Sequence, residues 1–254
     1  MKKRQLIGWC LGFSMVASSY FAVAAPFEPS GSAAVEISAD EMDYNWKTGN
    51  VSASGNVVAL QKGDRLQGDR LEYNMDTQSG ALIGNVVANR VDGSTLVTSR
   101  LDLSGGSIYT GSGGVNYTSP ANSVQAPWLQ YDSSSGYIRT EGRTTIRRAE
   151  GTMKADQIEA WEKSGQMIGR GNVDFNSPAH SAMGRANRVD YTKNNPNSQG
   201  HIVLTGNAHL VYQGDNMLTG PKITMDLDTG YAQAEGRPTL VITPQQKKEP
   251  EAGK

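Results

Sequence analysis

The chain has 254 residues and a formal net charge of −1. A balance this close to neutral excludes a strongly basic nucleic-acid-binding domain, so no nucleic-acid partner is expected. The single cysteine excludes an internal disulfide framework.

The first 24 residues carry the pattern of a secretory signal peptide. Lys2, Lys3 and Arg4 form a positive start, residues 6–21 are mostly apolar, and Ala22-Val23-Ala24 is a small-residue cleavage site. The pattern predicts export with cleavage after Ala24, and a retained N-terminal anchor is the alternative. Cys10, the one cysteine, lies in this segment.

Three further segments follow from composition. Residues 25–34 are rich in Pro, Gly and Ser and are expected to be a linker, and residues 35–243 hold all of the repeated pattern. Residues 244–254 contain no apolar residue able to pack, which predicts a disordered tail. Within the repeat region, residues 193–200 are predicted to form an exposed loop.

The stretch from Asp69 to Asn89 is predicted to form a β-hairpin. Apolar and polar residues alternate on both sides of a short polar segment that ends at Gly80. The first strand of this hairpin contains a five-residue block, Asp69 to Tyr73. Similar blocks recur along the chain at intervals of about 29 residues. The first residues of the blocks are Asp40, Asp69, Ser99, Pro127, Asp156, Asn187 and Pro221.

A glycine marks the second strand of each unit, and apolar residues fall two and four places after it. Gly84, for example, precedes Val86 and Ala88. A repeat of two strands and no helix cannot bury its own apolar face, so successive units must stack. We therefore predict an all-β fold, an elongated stack of antiparallel strands built from about seven such repeats.

The third unit departs from this pattern between Gly105 and Asn122, which is rich in Gly, Ser and Thr. Ile108, Val115 and Tyr117 are its remaining apolar points. Glycine in strands is typical of bulges or close backbone approach. The passage is expected to be the bend or weak point of the stack, or else a long loop.

Signatures of catalysis, metal binding and cofactor binding were not found. His180, His201 and His209 lack metal-ligand spacing, and the Gly-x-Gly elements at residues 111–113 and 169–171 do not open helices. We therefore predict that the chain is not an enzyme, with no catalytic residue, no metal and no cofactor.

The apolar positions of the repeats share one face and predict an interior that runs along the stack. Small residues at several inward positions favour a long apolar groove suited to acyl chains, whereas a simple filled core is the alternative for each position. The predicted groove residues are Val57, Leu71, Tyr73, Val86, Leu101, Leu103, Leu129, Tyr131, Ile158, Val173 and Phe175. The strands at the two ends of the stack would expose unpaired backbone groups, which favours head-to-tail association into a homo-oligomer.

Short motifs in the repeats resemble the OstA/LptA-type lipopolysaccharide-transport family, also described as organic solvent tolerance-like. They are the strand starts Ala39-Asp40-x-x-x-Tyr44 and Gly68-Asp69-x-x-x-Tyr73 and the Gly-Asn-Val entries at residues 55–57, 84–86 and 171–173. The resemblance implies a periplasmic protein with an elongated, twisted β-jellyroll fold of antiparallel strands, which shields the acyl chains of lipopolysaccharide in its groove. It also implies that the protein bridges inner-membrane and outer-membrane components by adding edge strands.

Two other functions remain open from the residues alone. A polysaccharide-binding or polysaccharide-cleaving protein would need aromatic residues along an exposed face, for which Trp128, Tyr131 and Trp161 are the candidates. A structural envelope protein built from β-repeats would need no ligand at all.

Overall fold

A computed structural model of the chain describes residues 34–149, 151–178, 181–193, 198, 200–212 and 216–243. The predicted signal peptide (1–24), the linker up to residue 33 and the predicted tail (244–254) lie outside the described residues. Most of the predicted loop at residues 193–200 lies outside them as well.

The described chain is almost entirely β-strand, as the repeats predict. The first eight strands are β1 (Glu36–Ser38), β2 (Glu41–Asn45), β3 (Asn50–Gln61), β4 (Asp64–Asn74), β5 (Ser79–Asn89), β6 (Thr95–Ser104), β7 (Ile108–Thr118) and β8 (Asn122–Asp132). The other eight are β9 (Tyr137–Arg148), β10 (Gly151–Trp161), β11 (Gln166–Ser177), β12 (Ala182–Thr192), β13 (His201–Tyr212), β14 (Asn216–Asp226), β15 (Tyr231–Glu235) and β16 (Thr239–Val241).

These strands form one open antiparallel sheet in which each long strand pairs with its neighbours in sequence. The two ends of the sheet are built alike: β1 and β2 both pair with β3, and β15 and β16 both pair with β14. The predicted fold class, an elongated stack of antiparallel strands, is therefore confirmed.

A β-bulge interrupts every odd-numbered long strand near its middle. Between β4 and β5 the register passes from Gln67 opposite Val87 to Arg70 opposite Ile83, which leaves one extra residue on β5. The same shift recurs along the sheet from β3 to β14. Because a bulge bends its strand, aligned bulges fold the sheet lengthwise into two facing walls. Wall A is edged by β1 and β16, and wall B by β2 and β15.

The Gly-Asn pairs of the sequence motifs are these bulges. Gly84 and Asn85 both have positive φ, 78° and 46°, a conformation that glycine and asparagine adopt most easily. The Asn85 amide donates a hydrogen bond to Asp69 Oδ2 at 2.9 Å, and a Cβ on Gly84 would lie 2.2 Å from that same oxygen. Equivalent bonds join Asn56 to Asp40 and Asn172 to Asp156. The motif therefore encodes a hydrogen-bonded corner.

The Gly-rich passage of the third unit folds as the regular strand β7, so neither a long loop nor a degenerate unit is found there. Gly113 and Gly114 form its bulge with positive φ, and Ser99 Oγ donates to the carbonyl of Gly113 at 2.8 Å. Val115 and Tyr117 are buried as expected, whereas Ile108 lies partly exposed on the outer face.

The core lies between the two walls and extends along the stack. The inward residues of both walls belong to one cluster of buried apolar side chains. The largest fully buried aliphatic side chains come from β10, β13, β14 and the turn after β14: they are Ile158, Leu204, Leu210, Ile223 and Leu227.

Candidate functional site

An apolar cavity of about 480 Å³ lies between the walls at the N-terminal end of the stack. Wall A contributes Ile37, Ala59 and Leu66, and wall B contributes most of the remainder. The full lining is Val35, Ile37, Met42, Tyr44, Val51, Ala59, Leu66, Leu71, Tyr73, Met75, Gln78, Gly80, Ala81, Leu82, Leu101, Leu103 and Tyr109. No charged side chain is among these lining residues.

The cavity exists because small residues occupy inward positions in the first repeats. Along one inward row of wall B, Val51 pairs with Tyr73, Tyr73 with Gly80, and Gly80 with Leu103. Gly80 carries no side chain into the interior, and Ala59 of wall A reaches only one carbon into it. The next residue of the row after Leu103 is Tyr109, where the lining ends.

The cavity is open at the β2 edge of the stack. The lining residues Met42 and Tyr44 on β2 are 46% and 56% exposed, and Met75 after β4 is also exposed. Burial of Tyr73 deeper inside raises the pKa of its phenol above the usual value, which keeps the side chain uncharged. The site is therefore an uncharged slot that opens to solvent at the β2 edge.

The eleven predicted groove residues divide into three groups. Four line the open cavity: Leu71, Tyr73, Leu101 and Leu103. Val57 and Val86 are buried beside the bulges of β3 and β5, within the same repeats. The remaining five lie farther along the stack, in the buried cluster: Leu129, Tyr131, Ile158, Val173 and Phe175. Phe175 borders a void of only about 10 Å³.

Several lining residues were not among those predicted. Val35 and Ile37 precede the first block, and Met75 continues the period-two phase of Leu71 and Tyr73, so alternation could have identified them. Gln78 lies in the turn before β5 and Gly80 is the second residue of β5, and neither carries an apolar signal that would reveal it.

Tyr131 and Glu162 form a hydrogen-bonded pair near the middle of the stack. The Tyr131 hydroxyl donates to Glu162 Oε2 at 3.3 Å, and Glu162 Oε1 is buried without a hydrogen-bond partner among the described residues. Burial of the Glu162 carboxyl raises its pKa, although the bond from Tyr131 acts in the opposite direction. Burial, aided by the nearby Glu162 charge, raises the pKa of the Tyr131 phenol.

This pair predicts a pH dependence of stability. A carboxyl whose pKa is raised on folding stabilises the protein below its ordinary pKa, 4.5 for glutamate, and loses that contribution as the pH rises through the raised value. Glu162→Gln stays neutral and still accepts the Tyr131 bond. We expect the variant to gain thermal stability relative to the wild type as the pH increases. Glu72→Gln, at an exposed glutamate paired with Arg70, is the control. Parallel melting curves for Glu162→Gln and the wild type at every pH would contradict the assignment.

The outer face of wall B carries ion pairs between arginine and acidic residues two places apart. Arg70 pairs with Glu72. The Arg100 guanidinium donates hydrogen bonds to both carboxylate oxygens of Asp102, at 2.8 Å to Oδ2 and 2.6 Å to Oδ1. These side chains are largely exposed, so each pair contributes little to stability.

An aromatic pair also lies on the outer face of wall B. The rings of Tyr137 and Trp161 have centroids 5.2 Å apart and an interplanar angle of 43°. Tyr131, which the polysaccharide hypothesis placed on an exposed face beside Trp128, points into the core instead because it follows the inward phase of Leu129. The aromatic residue that lies beside Trp161 on the outer face is Tyr137.

Both ends of the stack present exposed apolar side chains beside edge strands. At the N-terminal end these are Met42, Tyr44, Trp46 and Met75, and at the C-terminal end they are Tyr231, Leu240, Val241 and Ile242. Within the ranges that the structure describes, β2 pairs only with β3 and β15 only with β14. One side of each of these strands therefore has no strand partner.

Among the residues that the structure describes, no group of three or more His, Cys, Asp or Glu residues is arranged to hold a metal ion. Among the same residues, no helix is long and apolar enough to cross a membrane.

A bent, open antiparallel sheet with an uncharged apolar slot between its walls defines a β-jellyroll-like protein with an apolar cavity. A family model described as "LptA/(LptD N-terminal domain) LPS transport protein" matches residues 36–231. The chain belongs to this family of lipopolysaccharide transport proteins, which confirms the resemblance in the sequence motifs. The family is one of transport proteins rather than enzymes.

A solved structure similar to this chain is LptH from Pseudomonas aeruginosa, described as the LptA-homologous periplasmic component of the lipopolysaccharide transport device. The two share 13% sequence identity over 83% of this chain and 96% of that chain, with a TM-score of 0.21. A search of curated proteins found no match.

Proposed function

We propose that this chain is a periplasmic carrier that holds lipopolysaccharide by its acyl chains in the cavity between the walls. The observation that carries the proposal is the open slot at the β2 edge, whose lining from Val35 to Tyr109 includes no charged side chain. Membership of a lipopolysaccharide transport family supports the choice of ligand.

The chemistry of the slot suits acyl chains. Its volume falls within the range of about 300–1,000 Å³ that is usual for ligand pockets. Each methylene removed from water contributes about 0.8 kcal/mol, so a few acyl chains supply ample binding free energy. The opening at the β2 edge lets the sugar and phosphate groups of the lipid remain in water while its chains enter between the walls.

The edge strands supply the bridging part of the proposal. Each end of the sheet carries a strand with unpaired N–H and C=O groups, and such strands accept a further strand from another protein. The exposed apolar residues beside them, such as Tyr44 and Leu240, would be covered by the added strand. We propose that inner-membrane and outer-membrane transport components dock at these edges, and that copies of this chain associate head to tail in the same way.

The remaining parts of the proposal follow from the sequence. The signal peptide at residues 1–24 would direct export and be removed. The chain itself would perform no catalysis and need no cofactor, and the energy for transport would come from an ATPase elsewhere in the assembly.

Site-specific photocrosslinking tests the proposal. A photoreactive residue is placed at Leu71, which lines the cavity, at Glu72, which faces outward on the same strand, and at Ile158, which is fully buried farther along the stack. With lipopolysaccharide present, we expect adducts at Leu71 and none at Glu72. Adducts at Ile158 as well would extend the groove along the whole interior. Labelling at Glu72 equal to that at Leu71 would refute binding between the walls.

The polysaccharide-binding alternative has one observation in its favour, the outer aromatic pair of Tyr137 and Trp161. Aromatic rings with a polar edge serve as binding surfaces for ligands that have both apolar and polar faces. Absence of lipid adducts at Leu71, together with binding of lipid-free polysaccharide, would favour this alternative. Binding of neither ligand would favour a structural envelope protein.

A further inference from the structure

We infer that three tyrosines, Tyr109, Tyr117 and Tyr131, close the inner end of the cavity and set the length of the longest acyl chain that it accepts. This inference rests on the proposed function, because it assigns a length limit to the same cavity. It adds a specificity determinant that the lining alone does not reveal.

The three tyrosines occupy inward positions of β7 and β8. Tyr109 lines the cavity and is the cross-strand partner of Leu103 on one side and Tyr131 on the other. Tyr117 lies on the opposite half of β7, beyond the bulge, and faces inward from wall A. All three are buried, with exposures of 3%, 4% and 6% for Tyr109, Tyr117 and Tyr131. Large rings from both walls therefore fill the interior directly behind the cavity.

Hydrogen bonds hold two of these rings at opposite rims of the sheet. The Tyr117 hydroxyl donates to Ser94 Oγ at 3.3 Å, in the turn between β5 and β6. The Tyr131 hydroxyl donates to Glu162 Oε2 at 3.3 Å, in the turn between β10 and β11. Turns after odd strands lie at the rim of wall A and turns after even strands at the rim of wall B, so the tyrosines are anchored from both sides.

Beyond the tyrosines, the inward apolar side chains that the structure describes belong mostly to the buried core cluster. Met153, Met167 and Phe175 surround a void of only about 10 Å³, against about 480 Å³ in front of Tyr109. Counted from the β2 edge to β7, the open part spans five strand spacings, or about 24 Å at about 4.8 Å per spacing. An acyl chain that enters at the mouth can extend over this distance and then meets Tyr109.

The prediction is a limit in chain length. Binding of saturated fatty acids to the full chain is measured for a series of increasing length, by displacement of a fluorescent fatty acid. We expect affinity to rise by about fourfold for each added methylene until the chain reaches Tyr109, and then to level off. Tyr109→Ala should move this plateau to longer chains, with a further gain of about fourfold per methylene beyond the wild-type limit.

A second variant and a control allow the test to be made even if Tyr109→Ala does not fold. Leu103→Phe enlarges the lining residue in front of Tyr109 and should move the plateau to shorter chains. Tyr137→Ala removes an outer-face tyrosine and should leave the plateau unchanged. If Tyr109→Ala does not fold, Leu103→Phe decides, and an unchanged plateau in it overturns the inference.

The outcomes for the wild type separate the two proposals. Affinity that keeps rising along the series, without a plateau, overturns the length limit and leaves acyl binding in place. Failure to bind a fatty acid of any length overturns the proposed function and the length limit together.

Discussion

Replacing Gly84 with alanine is expected to lower the free energy of unfolding by roughly 2.5–5 kcal/mol. An alanine at a positive φ of 78° costs about 1–2 kcal/mol because its Cβ approaches the backbone. The new Cβ would also lie 2.2 Å from Asp69 Oδ2, so the carboxylate must move and lose its bond from Asn85. Loss of a hydrogen bond to a charged group adds about 1.5–3 kcal/mol. Urea unfolding followed by tryptophan fluorescence measures the change.

Gly114 provides the matched control. It lies in the bulge of β7 with a φ of 91°, but a Cβ added there would meet nothing within 4 Å. Gly114→Ala should therefore cost only the backbone term, about 1–2 kcal/mol. A double-mutant cycle with Asp69→Ala isolates the contact, because Gly84→Ala should cost much less once the carboxylate is absent. If Gly84→Ala lowers the free energy of unfolding equally with and without Asp69, the contact with Asp69 is not the reason that glycine is required at residue 84.

These corners explain why the fold could be predicted from the sequence. The requirement for Gly, then Asn, opposite an Asp is imposed by local backbone geometry, and it recurs at the bulges of β3, β5 and β11. The five-residue blocks fall on even strands, and each block begins beside the bulge glycine of the next strand, as Asp69 does beside Gly84. Period-two alternation on either side then fixes which residues face inward.

The third unit shows where local reasoning failed. Its glycines indicated a bend or loop, because glycine weakens an isolated strand. In the structure β7 pairs along its length with β6 and β8, and its glycines supply the bulge that the Gly-Asn pair supplies elsewhere. Pairing with two neighbours outweighs the low strand propensity of a few residues.

The extent of the open cavity could not be predicted from alternation alone. Leu71 and Ile158 have the same phase in their repeats, yet Leu71 lines the cavity and Ile158 is fully buried in the packed core. The difference depends on what stands opposite and beside each position, such as the missing side chain at Gly80 or the ring of Tyr109. Those relations join residues on different strands and different walls, and no single repeat contains them.

Replacing Leu71 with aspartate is expected to weaken binding of fatty acids or lipopolysaccharide by about 100-fold or more while changing stability little. Leu71 is only partly buried and borders the open cavity, so water can hydrate the new carboxylate when no ligand is bound. An acyl chain would have to displace that water. Leaving a charge desolvated beside hydrocarbon costs several kcal/mol, and about 3 kcal/mol corresponds to about 100-fold in affinity.

Two controls separate charge at the site from general damage. Val97→Asp makes the same kind of change at a valine that is 41% exposed on the outer face of wall A, and it should leave affinity unchanged. Leu71→Met keeps an apolar side chain of similar volume and should bind nearly as well as the wild type. Acidification supplies a third comparison, since a protonated aspartic acid is cheaper to bury and affinity of Leu71→Asp should partly return at low pH. If Leu71→Asp binds as tightly as Val97→Asp at neutral pH, acyl chains do not pass Leu71, and the cavity between the walls is not their binding site.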